Sequence, residues 1–180
     1  MKSDTLSTLS HQQIAQLIAA MQAANWRATY RGIFDDAYLD HRIEADRLQY
    51  WQAWVPQLAN GVGEIFLATV ADAPVGFLCI EIGPERSLGA YVGNLHVLPH
   101  VRGQGVGKLL ADAAANWALK QGETQLYLRV YEDNLRARQF YAHEGWHAVA
   151  REMYDLPDGS GVSAAVLKLI KTLRTTLQTT

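Results

Sequence analysis

Residues 94–108 read Asn94-Leu95-His96-Val97-Leu98-Pro99-His100-Val101-Arg102-Gly103-Gln104-Gly105-Val106-Gly107-Lys108, and this stretch decides the fold. Its first half is apolar and strand-like and ends at Val97. Its second half carries glycines at 103, 105 and 107 and leads into a helical pattern. Glycine has no Cβ, so the backbone here can approach a ligand closely, and the unpaired N–H groups of a helix start can face an anion. Arg102 and Lys108 add positive charge beside them. The stretch predicts a phosphate-binding turn between a strand and a helix.

Two phosphate motifs are excluded by spacing. A nucleotide P-loop places four residues between its first glycine and a Gly-Lys pair followed by Ser or Thr. Here three residues separate Gly103 from Gly107-Lys108, and Leu109 follows. The dinucleotide fingerprint needs Gly-x-Gly-x-x-Gly directly after a strand. Here the spacing is Gly-x-Gly-x-Gly, and five residues part Val97 from Gly103.

Outward from this loop the chain has helices first and strands after. Ser10 followed by Gln13 is a capping-box signature, and Ile14, Leu17, Ile18 and Met21 predict a helix from His11 to about Ala24. The aromatics Trp26, Tyr30, Phe34 and Tyr38 follow. Asp35 or Asp36 can cap a second helical region with Leu39, Ile43, Leu48, Trp51 and Trp54 as its apolar positions, closed by Pro56 and Asn60-Gly61. Glu64–Val70, Pro74–Ile82 and Ala90–Val97 read as strands with short connections, which favours antiparallel pairing. Beyond the glycine loop, Val106, Leu109, Leu110, Ala113, Ala114 and Trp117 mark an amphipathic helix. Thr124–Tyr131 reads as a strand, Asn134–Glu144 as a helix capped by Asn134, and Trp146–Asp155 and Val162–Ile170 as strands. The result is a mixed α/β (α+β) single domain over 1–180. It divides into a helical region at 1–60, a strand-rich core at 64–171 and a polar tail at 172–180 expected to fray.

Arg102-x-x-Gly105-x-Gly107 and, farther on, Asn134-x-x-Ala137-x-x-Phe140-Tyr141-x-x-x-Gly145-Trp146 stand in register. In order and spacing they resemble the two halves of the signature of the GCN5-related N-acetyltransferases (GNAT), with Trp146 where relatives carry Phe. The resemblance spans about Glu64–Ile170. It implies a mostly antiparallel sheet of six or seven strands flanked by helices, in which the Ala90–Val97 strand splays away from Thr124–Tyr131 to admit acetyl-CoA. By the same resemblance, Leu95, His96 and Val97 offer main-chain groups to the pantetheine arm. Arg102, Gly103, Gln104, Gly105, Val106, Gly107 and Lys108 wrap the pyrophosphate, and Asn134 bonds the arm. Tyr141 sits near the thioester sulfur as general acid, and the N–H of Val97 polarises the carbonyl.

The pattern breaks at the base. Many relatives carry Glu at the place of Tyr91, and some at the place of Arg129. Glu81 on the preceding strand is the first substitute, with His96 and solvent chains as others, and a strand-end carboxylate without a role is the plain alternative for Glu81. Cys79, the single cysteine, lies in Phe77-Leu78-Cys79-Ile80 and reads as a buried small hydrophobe rather than a nucleophile, so direct transfer in a ternary complex is expected. His143-Glu144-Gly145-Trp146-His147 matches a zinc-peptidase pattern, but Gly145 should stop the helix on which both histidines would have to lie. No metal is expected.

The acceptor side falls to the first helices by resemblance, with Trp26, Tyr30, Phe34 and Asp35 as candidate substrate contacts. Of the six aromatics there (Tyr38, Trp51 and Trp54 included), at least four are expected in the core. The acceptor is expected to be a small-molecule or peptide amine. The competing class is a non-catalytic acetyl-CoA-binding sensor or partner subunit, and a homodimer is allowed by resemblance only.

Composition agrees with a folded globular domain. The 180 residues are 49% apolar and 19% charged, with 16 Lys plus Arg against 18 Asp plus Glu, a formal charge of -2. That excludes a generally basic nucleic-acid-binding surface and intrinsic disorder. The N-terminal residues lack an unbroken apolar signal core, and no run is long enough to span a bilayer, so a cytoplasmic protein without membrane contact is expected.

Overall fold

The computed structural model describes residues 2–5 and 9–173. Its strands are β1 (Lys2–Thr5), β2 (Gly63–Val70), β3 (Ala73–Ile82), β4 (Ala90–Val97), β5 (Gln125–Tyr131), β6 (His147–Asp155) and β7 (Ser163–Thr172). Its helices are α1 (His11–Thr29), α2 (Asp36–His41), α3 (Ile43–Gln57), α4 (Val106–Lys120) and α5 (Leu135–His143). The strands form one sheet in the order β1-β2-β3-β4-β5-β7-β6. Every neighbouring pair is antiparallel except β4 and β5, which run parallel.

Strand β3 explains the layers. Val75–Ile80 are buried without alternation, as a strand covered on both faces must be. On one face, Leu78 and Ile80 pack with Val92, Leu126 and Leu128 under Leu110, Ala114 and Ala118 of α4. On the other, Phe77 and Cys79 join Ile65 and Leu67 beneath Ile14 and Ile18 of α1 and Trp51 and Val55 of α3. The capping box forms at α1: Ser10 Oγ accepts from Gln13 N at 3.3 Å, and Ser10 N donates to Gln13 Oε1 at 2.9 Å. Asp35 caps α2 by accepting from Tyr38 N at 2.9 Å, and Asn134 caps α5 by accepting from Ala137 N at 3.1 Å.

Several boundaries differ from expectation for local reasons. Helix α1 runs on to Thr29, because its buried stripe continues through polar Gln22 and Asn25 to Trp26. The second helical region is two helices broken at Arg42. Strand β1 was not expected: Lys-Ser-Asp-Thr has no apolar alternation and is recruited by the edge of β2. Strand β7 reaches Thr172 and Leu173 is buried; the rest of the expected frayed tail, 174–180, lies outside the described residues.

The parallel pair β4–β5 meets only at Ala90↔Leu126 and Tyr91↔Tyr127 and then parts. Two glycines set this V. At Gly89, φ is +85° and ψ −149°, and a Cβ there would lie 2.0 Å from the Gln125 carbonyl oxygen, so only glycine lets the strands close at this end. Gly93 is the extra residue of a β-bulge, between the pairs Ile80↔Val92 and Cys79↔Asn94. A bulge twists its strand out of register, here two residues beyond the last β4–β5 pair. Gly89→Ala is expected to cost about 1–3 kcal/mol. It should lower the melting temperature by at least about 3 °C in a thermal scan, and an unchanged melting temperature would contradict this role.

Candidate active site

The parted strands open a cleft of about 700 Å³ lined by β4, β5, the glycine loop, α1 and α5. Its chemistry begins with backbone. Leu98 donates its N–H to Val75 of β3 at 2.8 Å. By strand alternation the peptide groups of His96 also face β3, whereas those of Leu95 and Val97 point into the V. One is already used: Arg102 Nε donates to the Val97 carbonyl at 3.0 Å, while another guanidinium nitrogen of Arg102 bonds Asn25 of α1. The Arg102 side chain therefore braces the wide end of the cleft from within.

Gly103 and Gly105 have φ of +77° and +82°, and a Cβ on either would meet nothing. They are glycines for backbone conformation. Gly107 is one for space, since its Cβ would stand 3.3 Å from the Phe140 ring. Helix α4 starts with Gly105 as N-cap and no side-chain cap bond, so its first N–H groups are left for a ligand. Lys108 lies at this rim, held by both Asp112 oxygens at 3.0 Å and 3.8 Å from Glu144.

At the narrow end stands Tyr141, buried on α5 between Phe140 and Trp146, with ring centroids 5.3 and 5.6 Å away. Its hydroxyl has no hydrogen-bond partner among the described residues, yet it is not sealed in, because Trp146 Nε1 is the one enclosed side-chain polar atom without a partner among them. The hydroxyl therefore opens on the cleft that Tyr141 lines. Burial pushes its pKa above the ordinary phenol value, with Tyr30 and Tyr91 adding to the rise, so the proton stays on at neutral pH. Asn134 spends its carbonyl on the α5 cap and donates its amide to the Tyr30 hydroxyl at 3.4 Å.

Of the predicted site residues, the cleft brings together Leu95, His96, Val97, Arg102, Gly103, Gly105, Val106, Gly107, Lys108, Asn134, Tyr141, Trp26 and Tyr30. Gln104, Glu81, Phe34 and Asp35 are not among its lining. Gln104 is exposed and its amide turns to the His100 carbonyl at 3.4 Å. Phe34 is core, stacked on Tyr30 at 4.8 Å, and Asp35 serves as the α2 cap. Five of the six acceptor-side aromatics are buried: Trp26, Tyr30, Phe34, Tyr38 and Trp51. His96 packs against Phe77, centroids 5.2 Å apart, and burial lowers its pKa to about 3, which leaves it too weak a base to deprotonate an ammonium. Cys79 is buried and burial drives its thiol pKa upward, as a packed, unreactive cysteine should be. The two histidines of the zinc-like pattern lie on different elements, His143 ending α5 and His147 starting β6, with Gly145 turning the chain at φ +83°.

Tyr91 and Arg129, the two positions where the resemblance led to the expectation of a base, lie side by side. Tyr91 stacks near Tyr127, centroids 4.8 Å apart, and the Arg129 guanidinium lies 5.8 Å from the Tyr91 ring. Arg129 bonds Glu85 and, at 3.2 Å, Glu152; Lys168 bonds both acids at 2.8 Å. Glu81 is opposite Tyr91 in the β3–β4 ladder, has no ion pair among the described residues, and has its pKa raised by burial. The sequence reading missed Asn25 and Thr29 of α1, and Arg136 and His143 of α5, all of which line the cleft. Helical spacing from Trp26 and Phe140 was the signal that could have found them.

An open V between parallel strands, a glycine cradle at a helix N-terminus and a buried tyrosine at the apex define a site for an extended phosphate-bearing ligand. The family model described as the acetyltransferase (GNAT) family matches residues 22–146. An uncharacterized N-acetyltransferase of Archaeoglobus fulgidus is 32% identical over 120 residues, 64% of this chain and 78% of its own. The peptidyl-lysine N-acetyltransferase YjaB of Salmonella typhimurium is 28% identical over 145 residues, 81% of this chain and 84% of its own. Among solved structures, a PaiA N-acetyltransferase of Thermoplasma acidophilum in complex with coenzyme A superposes with a TM-score of 0.72 at 21% identity, covering 96% of this chain and 99% of the other. The chain belongs to the GNAT acetyltransferase family.

Gly107→Val would put a branched side chain against Phe140 at the cradle. Acetyl-CoA binding is expected to weaken at least about tenfold by calorimetry, a loss of about 1.4 kcal/mol, with the fold intact by circular dichroism. Unchanged affinity would remove Gly107 from the site.

Proposed function

We propose that the protein transfers the acetyl group of acetyl-CoA to a primary amine of a small molecule or peptide, directly, in a ternary complex. The observation that carries this reading is the Tyr141 hydroxyl, without a hydrogen-bond partner among the described residues and on the cleft lining, where burial favours its protonated form. The glycine cradle, with Arg102 and Lys108 at its sides, supports pyrophosphate binding at the wide end. Asn134 has one amide hydrogen left for the pantetheine arm. Acetyl-CoA supplies the thioester whose C–S bond breaks as the amine nitrogen bonds the carbonyl carbon.

Residues of this chain do the rest. From the cradle inward, Val97 comes first and Leu95 about 7 Å deeper along the strand. We assign the deeper Leu95 N–H to polarise the carbonyl oxygen, while Val97, the first assignment from sequence, holds the arm. Tyr141 donates its proton to the departing thiolate. Glu81 is the base: its raised pKa brings it nearer to neutrality, it faces the same side of the sheet as Tyr91, and it takes the ammonium proton through solvent. A metal has no role in this scheme.

Tyr141→Phe is expected to lower kcat by about 10²-fold while acetyl-CoA binding stays within about twofold. A wild type that binds acetyl-CoA yet releases no thiol with any amine would favour the sensor reading instead. A base must be deprotonated to act, so kcat/KM should rise with pH through a value above the usual carboxylate range, and Glu81→Gln should abolish that limb. An identical profile in the variant would take the base role from Glu81.

A further inference from the structure

Arg47 of α3 has no part in the scheme above. Its side chain is 10% exposed. Its guanidinium lies 4.7 Å from the centre of the Trp26 ring and 4.9 Å from that of Tyr50. One edge is committed, since Nε and Nη2 donate to Asp46 Oδ2 at 3.1 and 2.7 Å. Nη1 has no acceptor among the described residues and is not an enclosed atom, so it opens on accessible space. A guanidinium presents its donors in a rigid planar fork, and here one side of the fork is idle in a nearly closed setting.

Arg47 is not itself among the residues that line the cleft, but its neighbours border it. Trp26 lines the cleft, and so does Asn94, whose Oδ1 accepts from Gln22 Nε2 of α1 at 2.9 Å. The charge of Arg47 also acts on His96 of β4 and Tyr131 of β5, the two arms of the V. Arg47 therefore stands over the parted strands on the α1–α3 face of the sheet, the face away from α4. Glu81 lies on that same face without an ion-pair partner among the described residues, and Arg47 keeps one guanidinium nitrogen beyond its pair with Asp46.

We infer that Arg47 anchors a carboxylate of the acceptor, so that the acceptors are primary amines bearing an acid group, as in an amino acid. This inference rests on the N-acetyltransferase reading above. A flat carboxylate matches the edge of the fork and fits between two aromatic rings. Asp46, on the other edge, disfavours a dianion such as phosphate. The acceptor ammonium is left to face Glu81.

The test is thiol release by the wild type with amino acids, their amides and the matching amines that lack the carboxylate. The expected result is a kcat/KM at least about tenfold higher for the amino acids, carried by KM. Arg47→Gln should bring the ratio near one through KM, with acetyl-CoA affinity unchanged. Arg47→Lys, which keeps the charge without the fork, should retain part of the preference. Equal use of amides, amines and amino acids by the wild type overturns the inference and leaves amine acetylation standing; that ranking needs no variant to fold. A preference that survives Arg47→Gln also overturns it, and release with no amine at all sinks both readings.

Discussion

Strands β4 and β5 pair at two positions and then separate, and the rest of the molecule is arranged around that broken ladder. Backbone N–H and C=O groups of a strand that lose their ladder partner are left for water or a ligand to satisfy. Most folds avoid the situation, and this one builds it in. Gly89 allows the strands to meet at one end, the bulge at Gly93 drives them apart, and Arg102 covers the Val97 carbonyl at the open end. The groups that remain are spaced as a strand's would be, so an extended molecule with amide groups of its own is the natural filler. In the function proposed above, the glycine cradle takes the charged end of that molecule and Tyr141 meets the other.

The region beyond the apex is governed by charge. Arg129 stands where the resemblance allowed a carboxylate to be expected, and its charge is compensated rather than isolated. Two acids, Glu85 and Glu152, face two bases, Arg129 and Lys168, in a closed set buttressed by Tyr91 and Tyr154. Such a set is neutral as a whole and offers little net field to an incoming ligand. Outside it stand Glu81 and the Arg47–Asp46 pair, the charges to which the proposals above give the acceptor.

Much of this was legible in the sequence because glycine and alternation carry geometry. The spacing of Gly103, Gly105 and Gly107 placed the cradle, and the Asn134 to Trp146 segment placed α5 and Tyr141. The unbroken apolar run of β3 fits a strand covered on both faces. Polar elements were harder to read. Strand β1 pairs with the edge of β2 without any apolar alternation, and α1 continues under polar Gln22 and Asn25, whose burial only the neighbouring sheet explains. Gly93 looked like an ordinary strand residue, although a glycine inside a strand is a bulge signal. Arg47 sits in a helix where a charged residue ordinarily faces water, so its enclosure between two rings could be seen only once α1 and α3 were brought together.

Calorimetric titration with acetyl-CoA, followed by thiol release from the same preparation across an amine and peptide panel, tests the central claim most directly. One site per chain with a Kd on the order of micromolar, and thiol release that requires an added amine, is the predicted result. No heat of binding at millimolar acetyl-CoA would contradict it, because the groups turned into the V would then have no ligand to meet.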